Sequence, residues 1–178
     1  MRSVCVFLSS SDGQPSDVAA ITALGTEIAN RSLTLVYGGA HRGLMGVLAD
    51  AALAAGGQVI GVIPQALVDL EVAHRGLTEL HVVSTMHQRK AMMFSLADAF
   101  VVAPGGFGTL EEAFEQLTGI QLHYHDKPMV FFDIDGFWAP LVGFLDHSVA
   151  RGMLRRDVRG LFRTAASASA ALDTLTAW

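Results

Sequence analysis

The chain has 178 residues, one cysteine, a net charge of −5 and a sequence pI near 5.7. That length is read as one domain, 1–178, able to bury a core without disulfides or metal, and the acidic balance lacks the clustered Lys and Arg of a nucleic-acid binder. A mean hydropathy of +0.41 is high, yet Gly, Asp or Arg interrupts every apolar run before it reaches the ~20 residues of a membrane span. No signal peptide is read, so a cytoplasmic protein is expected, with spare apolar surface for an oligomer interface.

In chain order, Val4–Leu8 is a continuous β-favouring run, the pattern of a strand buried on both faces. Cys5 lies inside it and reads as a small buried hydrophobe rather than a reactive thiol. Ser9–Gln14 is loop, and Pro15 suits the first turn of a helix to about Asn30. Leu33–Tyr37 is the second strand, Gly38–Gly43 the turn after it, and Leu44–Ala55 a helix closed by Gly56-Gly57. Gln58–Ile63 is the third strand, ending at Pro64.

Gln65–Thr78 is expected to be irregular, and Leu80–Ser84 a strand. Thr85 is a candidate N-cap for a helix to Leu96. Ala99–Ala103 is the next strand, followed by a Gly-rich turn and a helix over Thr109–Leu122. Pro128–Asp133 is a strand, Phe137–Arg151 a helix, Leu161–Thr164 a short strand and the Ala/Ser-rich tail a helix. Repeated βα units with all-apolar strands predict an α/β, Rossmann-like, doubly wound parallel sheet with helices on both faces. Ligands then bind beyond the carboxyl ends of the strands, on the edge where Ser9–Gly13, Gly38–Gly43 and Gly105–Gly108 all lie.

The turn Pro104-Gly105-Gly106-Phe107-Gly108-Thr109 carries the chemistry. A strand that turns through glycine into a helix offers free backbone N–H groups to an anion, usually phosphate. Tight turning with close helix–sheet packing would also explain each glycine turn singly; two such turns plus Ser10 in the first loop favour a phosphate-bearing ligand. The dinucleotide and P-loop spacings are both absent. Arg89-Lys90 sits in a helical first turn, against the macrodipole. It reads either as a solvated pair or as Arg89 forking onto a phosphate or carboxylate with Lys90 adding a point charge. Glu111 and Glu112 occupy the first turn of the next helix, about 100° apart, so only one faces a site squarely. An inward glutamate near a nucleotide's sugar could stabilise an oxocarbenium ion and steer water onto it. The seven histidines show no metal spacing, and no Ser or Cys stands in a nucleophile elbow.

These motifs resemble the Lonely Guy (LOG) family of cytokinin nucleoside 5′-monophosphate phosphoribohydrolases, often mislabelled lysine decarboxylases. Residues 104–112 fit its PGGxGTxxE signature and Met86-His87-Gln88-Arg89-Lys90 its arginine–lysine motif. Tyr37–Gly46, Val62-Ile63-Pro64 and Asp126-Lys127-Pro128 extend the likeness over nearly the whole chain. The resemblance implies hydrolysis of the N-glycosidic bond of AMP or an N6-prenylated AMP to free base and ribose 5-phosphate, without cofactor or metal. It implies Arg89 and Glu112 as the catalytic pair and substrate contacts at Glu71, Lys90, Gly106, Phe107, Gly108, Thr109, Leu110, Glu111 and Thr118. Gly39, Gly105, Ser10 and Met86, from the neighbouring turns and helix start, complete the expected set.

The resemblance also implies a homodimer with sites near the interface, acting on a small nucleotide rather than on nucleic acid or membrane. Two departures stand out: Leu8-Ser9-Ser10-Ser11 replaces Cys-Gly-Ser-Ser, and Ala40 replaces a third glycine, where a left-handed backbone would strain alanine. The alternative function is a non-catalytic AMP-sensing module. Lysine decarboxylation would need a pyridoxal-anchoring lysine, and only Lys90 and Lys127 are available.

Overall fold

The computed structural model describes residues 1–70 and 72–178; the expected contact Glu71 lies outside the described residues. Seven parallel strands form one sheet in the order β4-β3-β2-β1-β5-β6-β7. They are β1 (Ser3–Phe7), β2 (Thr34–Tyr37), β3 (Val59–Pro64), β4 (Glu79–Val83), β5 (Ala99–Val102), β6 (Met129–Phe132) and β7 (Arg163–Ala165). The helices are α1 (Pro15–Asn30), α2 (Gly43–Ala54), α3 (Gln65–Asp69), α4 (Met86–Leu96), α5 (Phe107–Gln121), α6 (Ala139–Ala150) and α7 (Ala168–Thr176). Single 3₁₀ turns at Ile134–Gly136 and Val158–Gly160 flank α6. None of the described helices is long and apolar enough to cross a membrane.

Side-chain alternation along each strand builds two cores. Val4, Val6 and Leu8 join Val101 and Val130 in the layer under α1, α2 and α7. Cys5 and Phe7 point the other way, with Phe100, Val102 and Phe131, into the layer under α4 and α6. Both faces are therefore apolar, which is why the strands read as continuous hydrophobic runs. Cys5 is a fully buried free thiol whose pKa burial pushes well up, in keeping with a packing role. On the second face Phe7 stacks on Phe100 at 5.5 Å, and the Trp138 indole donates to the Val102 carbonyl at 3.2 Å.

Strand order reverses between β1 and β5, so the loops after these two strands splay apart and open a crevice at the carboxyl edge. The expected elements are present with shifted ends. The segment expected to be irregular contains the one-turn helix α3, and α5 begins at Phe107, two residues before the expected start. Thr85 caps α4 as expected, its hydroxyl accepting from the Gln88 N–H at 3.2 Å. In the turn after β2 the left-handed residues are Gly39 (φ 75°) and Gly43 (φ 55°) and Ala40 is not left-handed, so the alanine carries no backbone strain.

Candidate active site

The crevice beyond β1 and β5 has a volume of about 500 Å³. One wall is the first turn of α5, where Gly106, Phe107, Gly108 and Thr109 face the cavity. Gly106 is the N-cap, and having no side chain it cannot bond the first amides of the helix, which stay available to an anion. The Gly105 position is constrained by space, since a Cβ there would lie 2.0 Å from the Thr109 hydroxyl, whereas one on Gly106 would meet nothing. The loop after β1 contributes Leu8, Ser9, Ser10 and Ser11. It is moored by the Ser9 N–H donating to the Pro104 carbonyl at 3.1 Å and the Leu44 N–H donating to the Ser11 carbonyl at 3.0 Å. Across the switch point stand Gly38, Ala40, Arg42, Met45, Leu67 and Val72.

Arg89 and Glu112 meet within this cavity, Nη1 to Oε1 at 3.1 Å, with both side chains only 7% exposed. Two features aim the guanidinium. Its Nε donates to the Val62 carbonyl at 3.1 Å, and its Nη2 lies where any side chain on Gly38 would sit, 2.0 Å from an added Cβ. A turn that reads as a phosphate cradle is therefore also the slot that admits an arginine. Burial drives the Glu112 carboxyl up to a pKa of about 7; Arg89 and, more weakly, Lys90 oppose that rise, while Glu111 and Glu115 add to it. A carboxyl that titrates near neutrality beside a fixed cation can exchange a proton with water, as a general base must.

Of the expected site residues, the fold brings Ser10, Arg89, Gly106, Phe107, Gly108, Thr109 and Glu112 to the cavity wall. Gly39, Gly105, Met86, Lys90, Leu110, Glu111 and Thr118 lie outside its lining. Leu110 packs against the core below α5, and Gly39 shapes its turn from a buried position. Met86 is exposed at the start of α4, and Thr118 is exposed beside Phe114, Leu117 and Gln121. Lys90 turns away from the cavity to Glu111 and, at 3.1 Å, Glu115. None of Arg42, Met45, Leu67 and Val72 is placed in the site by sequence alone, which takes Met45 for core or interface packing. They come from the turn before α2, from α2, from α3 and from the segment after it, and only the Arg42 charge in a glycine-rich turn was a usable signal.

A family model described as "Possible lysine decarboxylase" matches residues 45–175. A cytokinin riboside 5′-monophosphate phosphoribohydrolase from Rhodococcoides fascians is 47% identical over 155 residues, covering 86% of this chain and 78% of the relative. An enzyme of the same name from Oryza sativa subsp. japonica is 42% identical over 168 residues, covering 94% and 69%. Among solved structures, a molybdenum cofactor binding protein from Rippkaea orientalis superposes with a TM-score of 0.73 at 19% identity over 98% of this chain and 95% of its own, a likeness of fold.

Proposed function

The chain belongs to the Lonely Guy (LOG) family, and we propose from that membership that it hydrolyses N6-modified adenosine 5′-monophosphates to free base and ribose 5-phosphate. Residues 1–178 act as one catalytic domain. The amides of Gly106 through Thr109 hold the 5′-phosphate, and Ser10 supports it from the facing loop. The base lies across the switch point, where Met45, Leu67 and Val72 offer an apolar surface matched to an N6-prenyl group. The ribose then lies over Arg89 and Glu112. As the C1′–N9 bond breaks, its electron pair leaves with the base and positive charge grows on C1′ and the ring oxygen. The Glu112 carboxylate faces that charge and takes a proton from the water that attacks C1′; the departing base takes a proton at nitrogen from solvent, and Glu112 then returns its own to solvent, so that one water is consumed in all. Arg89 holds Glu112 in register and keeps enough of it ionised near neutral pH.

The observation that carries this reading is the buried Arg89–Glu112 pair beside a helix N-terminus with free amides. The chain's two lysines lie outside the cavity lining, which leaves a pyridoxal-dependent decarboxylation without its anchoring amine there. Exposed apolar side chains at Val82 and Met86 near α4 and at Leu122 and Tyr124 past α5 support a homodimer with sites near its interface. A nucleotide substrate suits a cytoplasmic setting. The test is base release, followed by chromatography, from isopentenyladenosine monophosphate, AMP and the other 5′-monophosphates. The prenylated nucleotide is expected to be cleaved fastest, and no base from any of them would reject the proposal.

A further inference from the structure

Lys90 is the neighbour of the arginine that lines the cavity, and its ammonium is spent elsewhere. Its side chain is 10% exposed and lies between two carboxylates of α5, Glu111 and Glu115, the second at 3.1 Å. These belong to successive turns of one helix face, so the lysine bridges α4 to α5 at two points. Arg89 reaches the same helix at Glu112, about 100° round from Glu111. Two adjacent cations of α4 therefore meet three carboxylates of α5. Glu111 and then Glu115 hold the Lys90 ammonium charged, above the ordinary lysine range despite its burial.

We propose that Lys90 is a positioning residue rather than a substrate ligand: it locks α4 to α5 at the spacing the Arg89–Glu112 pair needs, and it cancels the two carboxylates that crowd Glu112. The proposal rests on the phosphoribohydrolase reading for its catalytic meaning. The charged and titratable groups around Glu112 are Arg89 and Lys90 from α4, Glu111 and Glu115 from its own helix, and the Cys5 thiol of β1, which burial keeps neutral. Removing the lysine leaves Glu112 with two uncompensated like charges and one cation. Its carboxyl must then hold its proton to higher pH, and less of the carboxylate is present at neutrality.

The test follows Glu112 itself, by carbon-13 NMR titration of protein labelled at the glutamate carboxyls and assigned with Glu112→Gln. Lys90→Met should raise the Glu112 midpoint by about half a pH unit or more, less than the about 1–3 units of a charge in direct contact because the ammonium touches Glu111 and Glu115 rather than Glu112. Lys90→Arg should keep the wild-type midpoint, and Lys90→Met combined with Glu111→Gln and Glu115→Gln should restore it. The Glu112 limb of the kcat/KM profile should move with the NMR midpoint. A Lys90→Met midpoint equal to wild type, with KM alone raised, would make Lys90 a substrate ligand and overturn the proposal; so would a triple variant that stays displaced. Wild-type protein that releases no base would instead reject the phosphoribohydrolase reading, and the NMR titration would still decide the role of Lys90.

Discussion

Replacing Glu112 with glutamine keeps the shape of the side chain and its contact with Arg89 but removes the charge. The carboxylate is 3.1 Å from the Arg89 guanidinium and almost fully screened from water, so a ribosyl cation forming beside it would feel an effective dielectric well below that of bulk solvent. At a separation of ~4 Å and an effective dielectric of ~20, a unit charge is worth about 4 kcal/mol. At 1.36 kcal/mol per factor of ten, Glu112→Gln should lower kcat for base release by about a thousandfold. AMP affinity, measured by calorimetry, should hold within about threefold, because amides and not the carboxylate bind the phosphate. Wild-type kcat/KM should rise with pH through a midpoint of about 7 as Glu112 loses its proton, and the variant should lack that limb. Stability carries the opposite sign. The folded-state pKa lies above the ordinary 4.5, so this group's contribution is complete below pH 4.5 and declines as pH rises through about 7. Wild type should therefore lose up to about 3 kcal/mol between pH 5 and 8 that the glutamine variant keeps. A variant within tenfold of wild-type turnover, or one with the same pH limb, would refute the reasoning.

Gly38→Ala places a Cβ within 2.0 Å of the Arg89 Nη2, so the guanidinium must move. Turnover should fall about a hundredfold with phosphate binding retained, and an unchanged kcat would show that Arg89 need not sit in that slot. Leu67→Asp puts a charge on the apolar wall facing the base. It should weaken isopentenyladenosine monophosphate relative to AMP by tenfold or more in kcat/KM, about 1.4 kcal/mol, and an equal loss for both would move the base subsite elsewhere. Lys127 caps the end of α4, donating to the Phe94 carbonyl at 2.6 Å with its ammonium 3.7 Å from the Phe94 ring centroid. Lys127→Met should cost about 1–3 kcal/mol in urea denaturation, and a loss below 0.5 kcal/mol would show the cap to be idle.

Strands were legible because a sheet covered on both faces leaves no polar alternation, so Val4–Leu8 and Ala99–Ala103 stand out as unbroken apolar runs. Arg89 and Glu112 were legible because each sits near the start of a helix that follows a strand's carboxyl end, in a motif with few competing explanations; the early start of α5 puts Glu112 in the second turn rather than the expected first. The direction of Lys90 was not, since adjacent helical residues diverge and only the packed neighbour α5 decides which of two cations turns inward. The helix α3 escaped because five residues are too few to show a period of 3.6. Leu67 and Val72 reach the cavity only because a short helix and the segment after it fold over the turn following β2, where the His41 N–H donates to the Val72 carbonyl at 2.9 Å. A sequence carries no local mark of such a long-range contact. The early start of α5 is likewise unmarked in residue type: Gly106 takes the N-cap position with no side chain to signal it, a feature visible only in backbone angles.

A crystal structure of the Glu112→Gln variant with isopentenyladenosine monophosphate would examine the two halves of the site at once. The account predicts phosphate oxygens about 3 Å from the amides of Gly106 through Thr109, with C1′ of the ribose against Gln in place of Glu112 and the guanidinium of Arg89 alongside. Phosphate bound away from the start of α5, or a sugar turned from the Arg89 pair, would contradict it.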